Sequence, residues 1–278
     1  MDSNNMMFSV AMCVYKNDIP EHFETSIESI LNQTVAPNEI VIVVDGPITE
    51  ELNAVVYKYE KDYRFMIIRL EKNVGHGSAR SIGINNCRNE LIAIMDSDDI
   101  STPTRFEKQL KHFKQNNNIS IVGGNIEEFI SDKENIVGRR TVPQTDDAIK
   151  SYLKKRCPFN QVTVMFKKND VLKSGGYIDW YCNEDYYLWI RMYQNNMVFY
   201  NINETLVYVR IGNEMYQRRG GLKYFKSEAK LQHYMLQNGI ISFIRYIYNI
   251  GVRFVLQVLM PNSIRGFIFK KFARSNSK

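Results

Sequence analysis

The residues with the most chemistry in them are Asp96-Ser97-Asp98-Asp99, which follow the apolar run Leu91-Ile92-Ala93-Ile94-Met95. Three carboxylates within four residues at a strand end repel one another unless a cation lies among them. Hard divalent ions such as Mg²⁺ or Mn²⁺ prefer oxygen ligands and bridge to phosphates. The pattern reads as a metal-diphosphate clamp, the lesser alternative being an acidic cap at Asp98 or Asp99 on the helix that starts near Pro103.

A second cluster is Gly75-x-Gly77-x-x-Arg80, with Asp96 following 21 residues after Gly75. It nearly matches a dinucleotide fingerprint but has Arg80 where a small residue is needed for close helix-strand packing. An arginine opening a helix suits recognition of a phosphate or acidic group, while two glycines in a turn also suit a plain β-α loop. A third cluster is Asn183-Glu184-Asp185 with Trp189 and Arg191. Its acids read as a helix cap or, at Asp185, as a general base held near a reacting hydroxyl. Trp189 reads as core or pocket wall and Arg191 as a structural ion-pair partner. His22, His76, His112 and His233 are scattered and read as ordinary surface or helix residues.

These clusters need elements to position them. Strands are expected at Phe8 to Tyr15, Glu39 to Val44, Phe65 to Leu70 and Leu91 to Met95, alternating with helices at Pro20 to Gln33, Glu50 to Lys61 and Ser78 to Cys87. The β-branched run of the second strand suits burial on both faces. Four such units predict a doubly wound α/β sheet. Ligands of such sheets bind beyond the C-terminal strand ends. Those ends are Tyr15-Lys16-Asn17, Asp45-Gly46-Pro47, Asn73 to Gly77 and Asp96 to Asp99, a convergent polar rim.

Further on, helices are expected at Thr104 to Lys114, Asp146 to Lys155 and Asp185 to Gln194. Strands are expected near Ile119 to Val122 and Val162 to Phe166, with a polar hairpin or loop excursion from Asn125 to Pro143. Residues 1–210 read as one catalytic domain and 211–278 as a helical extension, joined across Arg210 to Gly221.

Composition narrows the classes. With 278 residues, 44% of them apolar, a full core is available, and disordered or low-complexity chains are excluded. Cys13, Cys87, Cys157 and Cys182 fit neither a disulfide framework nor paired zinc ligands, which points to a reducing compartment. Met1 to Met7 has no basic n-region for a signal peptide. No run reaches the roughly 18 to 20 apolar residues of a spanning helix.

From Arg210 onward there are 13 Lys and Arg against 2 Asp and Glu, leaving 23 against 28 before it. A basic tail on an acidic body suggests docking to an anionic surface and argues against a nucleic-acid binder. Within Ile240 to Met260, Arg245, Asn249, Arg253 and Gln257 recur every four residues as one polar stripe on an otherwise apolar helix. That helix is expected to lie in the plane of a membrane, aided by Lys270, Lys271, Arg274 and Lys278, or to pack on the catalytic domain or a second subunit.

Taken together, Ser9-Val10 with Tyr15 and Asn17, Ile30-Leu31-Asn32-Gln33-Thr34, Glu39-Ile40-Val41-x-Val43-x-Asp45-Gly46, Asn73-x-Gly75-x-x-x-Ala79-Arg80-x-x-Gly83-Ile84, Asp96-x-Asp98-Asp99 and Glu184-Asp185-x-x-Leu188-Trp189-x-Arg191 resemble the inverting family 2 glycosyltransferases of GT-A fold. The likeness spans residues 8 to about 210 with its motifs in order, and is nearest the bacterial branch that extends lipid-linked O-antigen, capsule or exopolysaccharide units.

The resemblance implies a Rossmann-like mixed sheet and a UDP-sugar donor, with glucose or galactose favoured. It implies an acceptor saccharide on undecaprenyl diphosphate, and a cytoplasmic enzyme lying peripherally on the inner face of the plasma membrane. Val14 and Tyr15 would line the nucleobase and ribose pocket, Asp45 would face the uracil, and Arg80 the base or diphosphate. Asp96 would meet the ribose or donor sugar, Asp98 the Mn²⁺ or Mg²⁺, and Asp185 would deprotonate the acceptor. Glu184, Asp99, Trp189 and Arg191 would support them. The family commonly has two acids before the glycine, and Val44 replaces the first here. The rival readings are a non-catalytic nucleotide- or glycan-binding module and a nicotinamide-dependent oxidoreductase.

Overall fold

A computed structural model describes residues 6–212 and 220–260. The expected alternation is present at the start: β1 (Phe8–Val14), α1 (Pro20–Leu31), β2 (Glu39–Val44), α2 (Glu50–Glu60), β3 (Phe65–Arg69), α3 (His76–Asn86) and β4 (Leu91–Met95). Then come β5 (Ile100–Ser101), α4 (Arg105–Gln115), β6 (Ile119–Ile130), β7 (Asp132–Arg140), α5 (Asp146–Leu153), β8 (Met165–Lys167), α6 (Lys168–Lys173), α7 (Glu184–Gln194) and β9 (Val198–Arg210). Two helices close the described chain, α8 (Gly221–Gln237) and α9 (Phe243–Phe254), the latter running on into a π-helical turn at Val255–Leu259.

The nine strands among the described residues form one sheet in the order β3-β2-β1-β4-β8-β6-β9-β5, with β7 beside β6. The first four are parallel, as the sequence predicts. The doubly wound expectation ends there, because β8 enters antiparallel between β4 and β6 and makes the sheet mixed.

Strand alternation divides the core in two. Val10, Met12 and Val14 of β1 and Ile40, Ile42 and Val44 of β2 face one side, where α1, α2 and α4 supply Phe23, Ile27, Leu52, Val56, Phe106 and Leu110. Ala11 and Val41 face the other side, with Ile84 of α3, Leu153 of α5 and Leu188 and Trp189 of α7. Leu231 and Met235 of α8, with Ile240 and Ile241, belong to this second cluster, so its apolar packing crosses from the catalytic region into the C-terminal helices.

The strand expected to stop at Val122 runs on to Ile130, and the polar excursion after Asn125 is its hairpin with β7. Gly123 and Gly124 look like strand breakers but are points of close approach. A Cβ at Gly123 would lie 2.4 Å from Asn201 Oδ1 and 2.9 Å from Phe159 Cδ1, and one at Gly124 would lie 2.6 Å from Leu206. Gly123→Ala is therefore expected to cost about 1–3 kcal/mol through overpacking. Gly251→Ala in exposed α9, where nothing lies within 4 Å, should instead be neutral or stabilising by up to about 1 kcal/mol. Urea denaturation of both variants checks the contrast, and equal effects would mean that Gly123 is not packed as described.

The strand expected at Val162 to Phe166 is partly a 3₁₀ turn (Gln161–Thr163) ahead of β8. The expected joint between body and tail, Arg210 to Gly221, falls largely on 213–219, outside the described residues, as do Lys270, Lys271, Arg274 and Lys278.

Candidate active site

All four polar strand ends meet in one cleft of about 570 Å³, a size suited to a small organic ligand or cofactor. Val14 and Tyr15 line it from β1, Asp45 from β2, Asn73, Gly75 and His76 from the β3-α3 turn, and Asp96, Ser97, Asp98 and Asp99 from β4. Val44 is not among the lining residues. It lies 2% exposed in the apolar cluster behind β2.

Asp45 is buried and ties two loops together. Its Oδ1 accepts from Val74 N at 2.7 Å and its Oδ2 from Asn73 Nδ2 at 2.9 Å. Gly46 follows with φ of +86°, and a Cβ there would sit 2.6 Å from Asn73 N, so only glycine permits this crossing. Tyr15 N donates to Asp18 Oδ2 at 2.9 Å, closing the β1 turn over the cleft.

The acid turn is not uniform. Asp98 is exposed to the cleft. Burial, Asp96 and Asp18 push its carboxyl up to about 6. Asp99 is 3% exposed, and its Oδ1 accepts from Arg210 N at 2.9 Å, fastening the end of β9 to the turn. Burial together with Asp98 and Asp96 raises it well above the carboxylate range. Beneath the turn, fully buried Arg105 donates to Ile94 O at 2.7 Å, Ser101 Oγ at 3.1 Å and Gln109 Oε1 at 3.2 Å. Burial pulls its guanidinium down to about 9, against the attraction of Asp96 and Asp99, which still leaves a positive charge under the acids at neutral pH.

Arg80 does not line the cleft with the residues above; it lies behind its wall. Its Nη2 is 2.8 Å from Asp96 Oδ1 and its Nη1 is 2.9 Å from Glu184 Oε1. This buried cation links the acid turn after β4 to the first residue of α7. Against the expectation that it faces a base or diphosphate stands only this geometry: its two Nη groups are paired with carboxylates, one of which, Asp96, lines the cleft. Glu184, buried beside Asp185, is raised to about 7 by burial and by Asp185, with Arg80 opposing.

Asp185 is half-buried and lies outside the cleft lining, one residue beyond that bridge. Its Oδ1 accepts from Tyr186 N at 2.7 Å, and Cys157 Sγ lies 3.9 Å from Oδ2. Trp189 is a core residue, edge-on to Phe159 at 5.4 Å, so the pocket-wall alternative falls. Among the described residues Arg191 makes no ion pair. It donates to Ser174 O and Gly176 O, each at 2.7 Å, and lies over the Tyr187 ring. A cation capping the backbone ahead of α7 replaces the predicted ion pair.

Several lining residues escaped the sequence reading. His22 and His76 were expected to be ordinary, yet both line the cleft. His76, whose Nδ1 lies 3.6 Å from Glu184 Oε1, is pushed down to about 4, chiefly by the Arg80 charge. Its position between two glycines at the α3 entry was an available signal. Asp18 adds a further acid. Arg210 supplies the cleft with a cation whose guanidinium is held by neutral carbonyls, Asp98 O at 3.2 Å and Ser131 O at 2.9 Å, over the Phe129 ring. Nothing in its local sequence marks it.

A family model described as "Glycosyl transferase family 2" matches residues 9–175, and the chain belongs to that family. It is a glycosyltransferase of GT-A fold. It is 37% identical over 274 residues, covering 99% of both chains, to the UDP-Gal:alpha-D-GlcNAc-diphosphoundecaprenol beta-1,3-galactosyltransferase of Escherichia coli. It is 34% identical to the amylovoran biosynthesis glycosyltransferase AmsE of Erwinia amylovora, over 95% of this chain and 98% of that one. Among solved structures, S. aureus TarS 1-349 in complex with UDP-GlcNAc superposes with a TM-score of 0.66 at 16% identity, covering 95% of this chain and 75% of that one.

Proposed function

We propose that the enzyme moves a hexose, galactose before glucose, from a UDP-sugar to a saccharide carried on undecaprenyl diphosphate, in the synthesis of a bacterial surface polysaccharide. The observation that carries this reading is the division of the site. The cleft with its strand-end acids lies at one end of the Arg80 bridge, and Asp185 follows Glu184 at the other. The acceptor of the Escherichia coli relative and the amylovoran pathway of the Erwinia amylovora one support the acceptor class and the polysaccharide setting.

In the reaction so read, Asp185 takes the proton of the acceptor hydroxyl as its oxygen bonds to the anomeric carbon. The bond from that carbon to the UDP oxygen breaks in line, and the configuration inverts. Val14 and Tyr15 flank the base and ribose, Asp45 fixes the loop at the base end, and Asp96 meets the ribose or donor sugar. Arg210 faces the departing diphosphate. Asp98 would hold the Mn²⁺ or Mg²⁺, which supplies charge neutralisation to the leaving group. The raised Asp98 carboxyl, crowded by Asp96 and Asp18, fits a cation there. Among the described residues no three acids, cysteines or histidines close into a cage.

The test is UDP release from a panel of UDP-sugars, with a GlcNAc-diphosphate-lipid analogue as acceptor and with Mn²⁺, Mg²⁺ or chelator. Release from UDP-galactose that depends on both acceptor and metal is expected. Tight UDP binding without release from any donor would make the chain a binding module.

A further inference from the structure

Surface helices ordinarily bury their apolar face and show the polar one to water. The last described helix does the reverse. Asn249 and Gln257 of the polar stripe are buried, and Arg253 is nearly so. Asn249 Nδ2 donates to Gln232 Oε1 of α8 at 2.7 Å and to Lys154 O at 3.0 Å. Arg253 pairs with buried Glu228 of α8 and donates to Lys155 O at 2.9 Å. The stripe thus fastens α9 to α8 and to the backbone at the C-terminal end of α5, satisfying carbonyls that helix termini leave open.

The outward face is apolar. Ile244 is 82% exposed, Phe243 65%, Tyr248 62% and Leu259 62%, with Ile247 and Val255 between them. The spacing makes one continuous band along α9 and its π turn, a kind of patch that marks an interaction surface.

We infer that this band is the surface by which the enzyme seats in an anionic lipid bilayer, lying in the plane of the interface. Charge argues for that occupant. Lys154, Lys155 and Arg245 line a small hollow at the head of the band. The residues after Met260 include Arg265, Lys270, Lys271, Arg274 and Lys278, with no Asp or Glu. An apolar band with a basic hollow at its head and a basic sequence after it matches anionic headgroups over acyl chains. A two-fold dimer through the same band would bring basic groups of two copies together, which opposes association.

No helix among the described residues is long and apolar enough to cross a membrane, so the seat is on the surface. The same helices also hold the base. Ser227 of α8 accepts from Asn183 Nδ2 at 3.1 Å and donates to Tyr181 O at 2.6 Å, bracing the N-terminus of α7 where Asp185 stands. The bilayer seat is therefore mechanically continuous with the acceptor side. This last step rests on the lipid-linked acceptor proposed above; the seat itself does not.

The test is co-sedimentation of the full chain with phosphatidylglycerol vesicles and with phosphatidylcholine vesicles, with no nucleotide or acceptor present. A failed transfer assay then leaves this result standing, and the reverse. Binding to the anionic vesicles that weakens with added salt is expected. The double variant Ile244→Asp/Tyr248→Asp should lose more than about tenfold in vesicle affinity through lost apolar burial. Because both side chains are exposed, it should keep its thermal melt and its UDP binding. Lys155→Glu/Arg245→Glu should weaken binding chiefly at low salt. Vesicle binding unchanged in the double variant overturns the inference. So does a native dimer that the double variant turns into a monomer, or a native chain that ignores vesicles of both kinds.

Discussion

Asp185→Asn is expected to lower turnover by about 10²- to 10⁴-fold while UDP-sugar affinity stays within about twofold, since a general base acts on the reacting proton and not on the bound donor. The split follows from where the carboxylate stands. It lies outside the cleft lining, separated from it by Arg80 and Glu184, so its loss removes no contact with the nucleotide space. The amide is close to isosteric and leaves Tyr186 N an acceptor oxygen, which keeps the start of α7 intact. Steady-state rates beside calorimetric titration of UDP separate the two quantities. If affinity collapsed while turnover per bound donor persisted, Asp185 would belong to the donor side.

Asp98→Ala is expected to remove metal-dependent UDP binding and to lower transfer by more than about a hundredfold, because several kcal/mol of leaving-group stabilisation goes with the ion. The fold should survive. Asp98 faces the cleft, and its contact with Arg210 runs through its backbone carbonyl, which alanine keeps. Asp99→Ala should behave differently. That carboxylate pins Arg210 N and with it the end of β9, so the loss should include thermal stability. Titrating UDP with and without Mn²⁺, beside melts of both variants, distinguishes the two. Undiminished activity of Asp98→Ala in chelator would end the metal assignment.

Much of this was legible in the amino-acid order because it is local. The apolar runs of β1, β2 and β4 with amphipathic helices between them predict a parallel half-sheet, and polar residues just past each strand must then share one edge. Asp45-Gly46, Asn73 to Gly77 and Asp96 to Asp99 do meet there. Less legible was the second half. Gly123-Gly124-Asn125 punctuates β6 as a turn would, and Asn201, Asn203 and Glu204 interrupt β9. Both segments are nonetheless strands, paired with each other in parallel. Long-range pairing supplies what local propensity withholds.

What the sequence by itself determined is the set of groups available and the edge on which they gather, because strand period and strand-end position follow from neighbours in the chain. Only the tertiary structure decided their roles toward one another. Arg80 lies behind the cleft wall because two carboxylates, 16 and 104 residues off, hold it at less than 3 Å. Arg210 reaches the cleft because Asp99, 111 residues earlier, holds its backbone. The orientation of α9 was decided in the same way. Periodicity shows that a helix has two faces, but which face turns inward depends on the partners waiting there. Here Gln232, Glu228 and the carbonyls of Lys154 and Lys155 offer hydrogen bonds to the polar stripe, which leaves the apolar face outside.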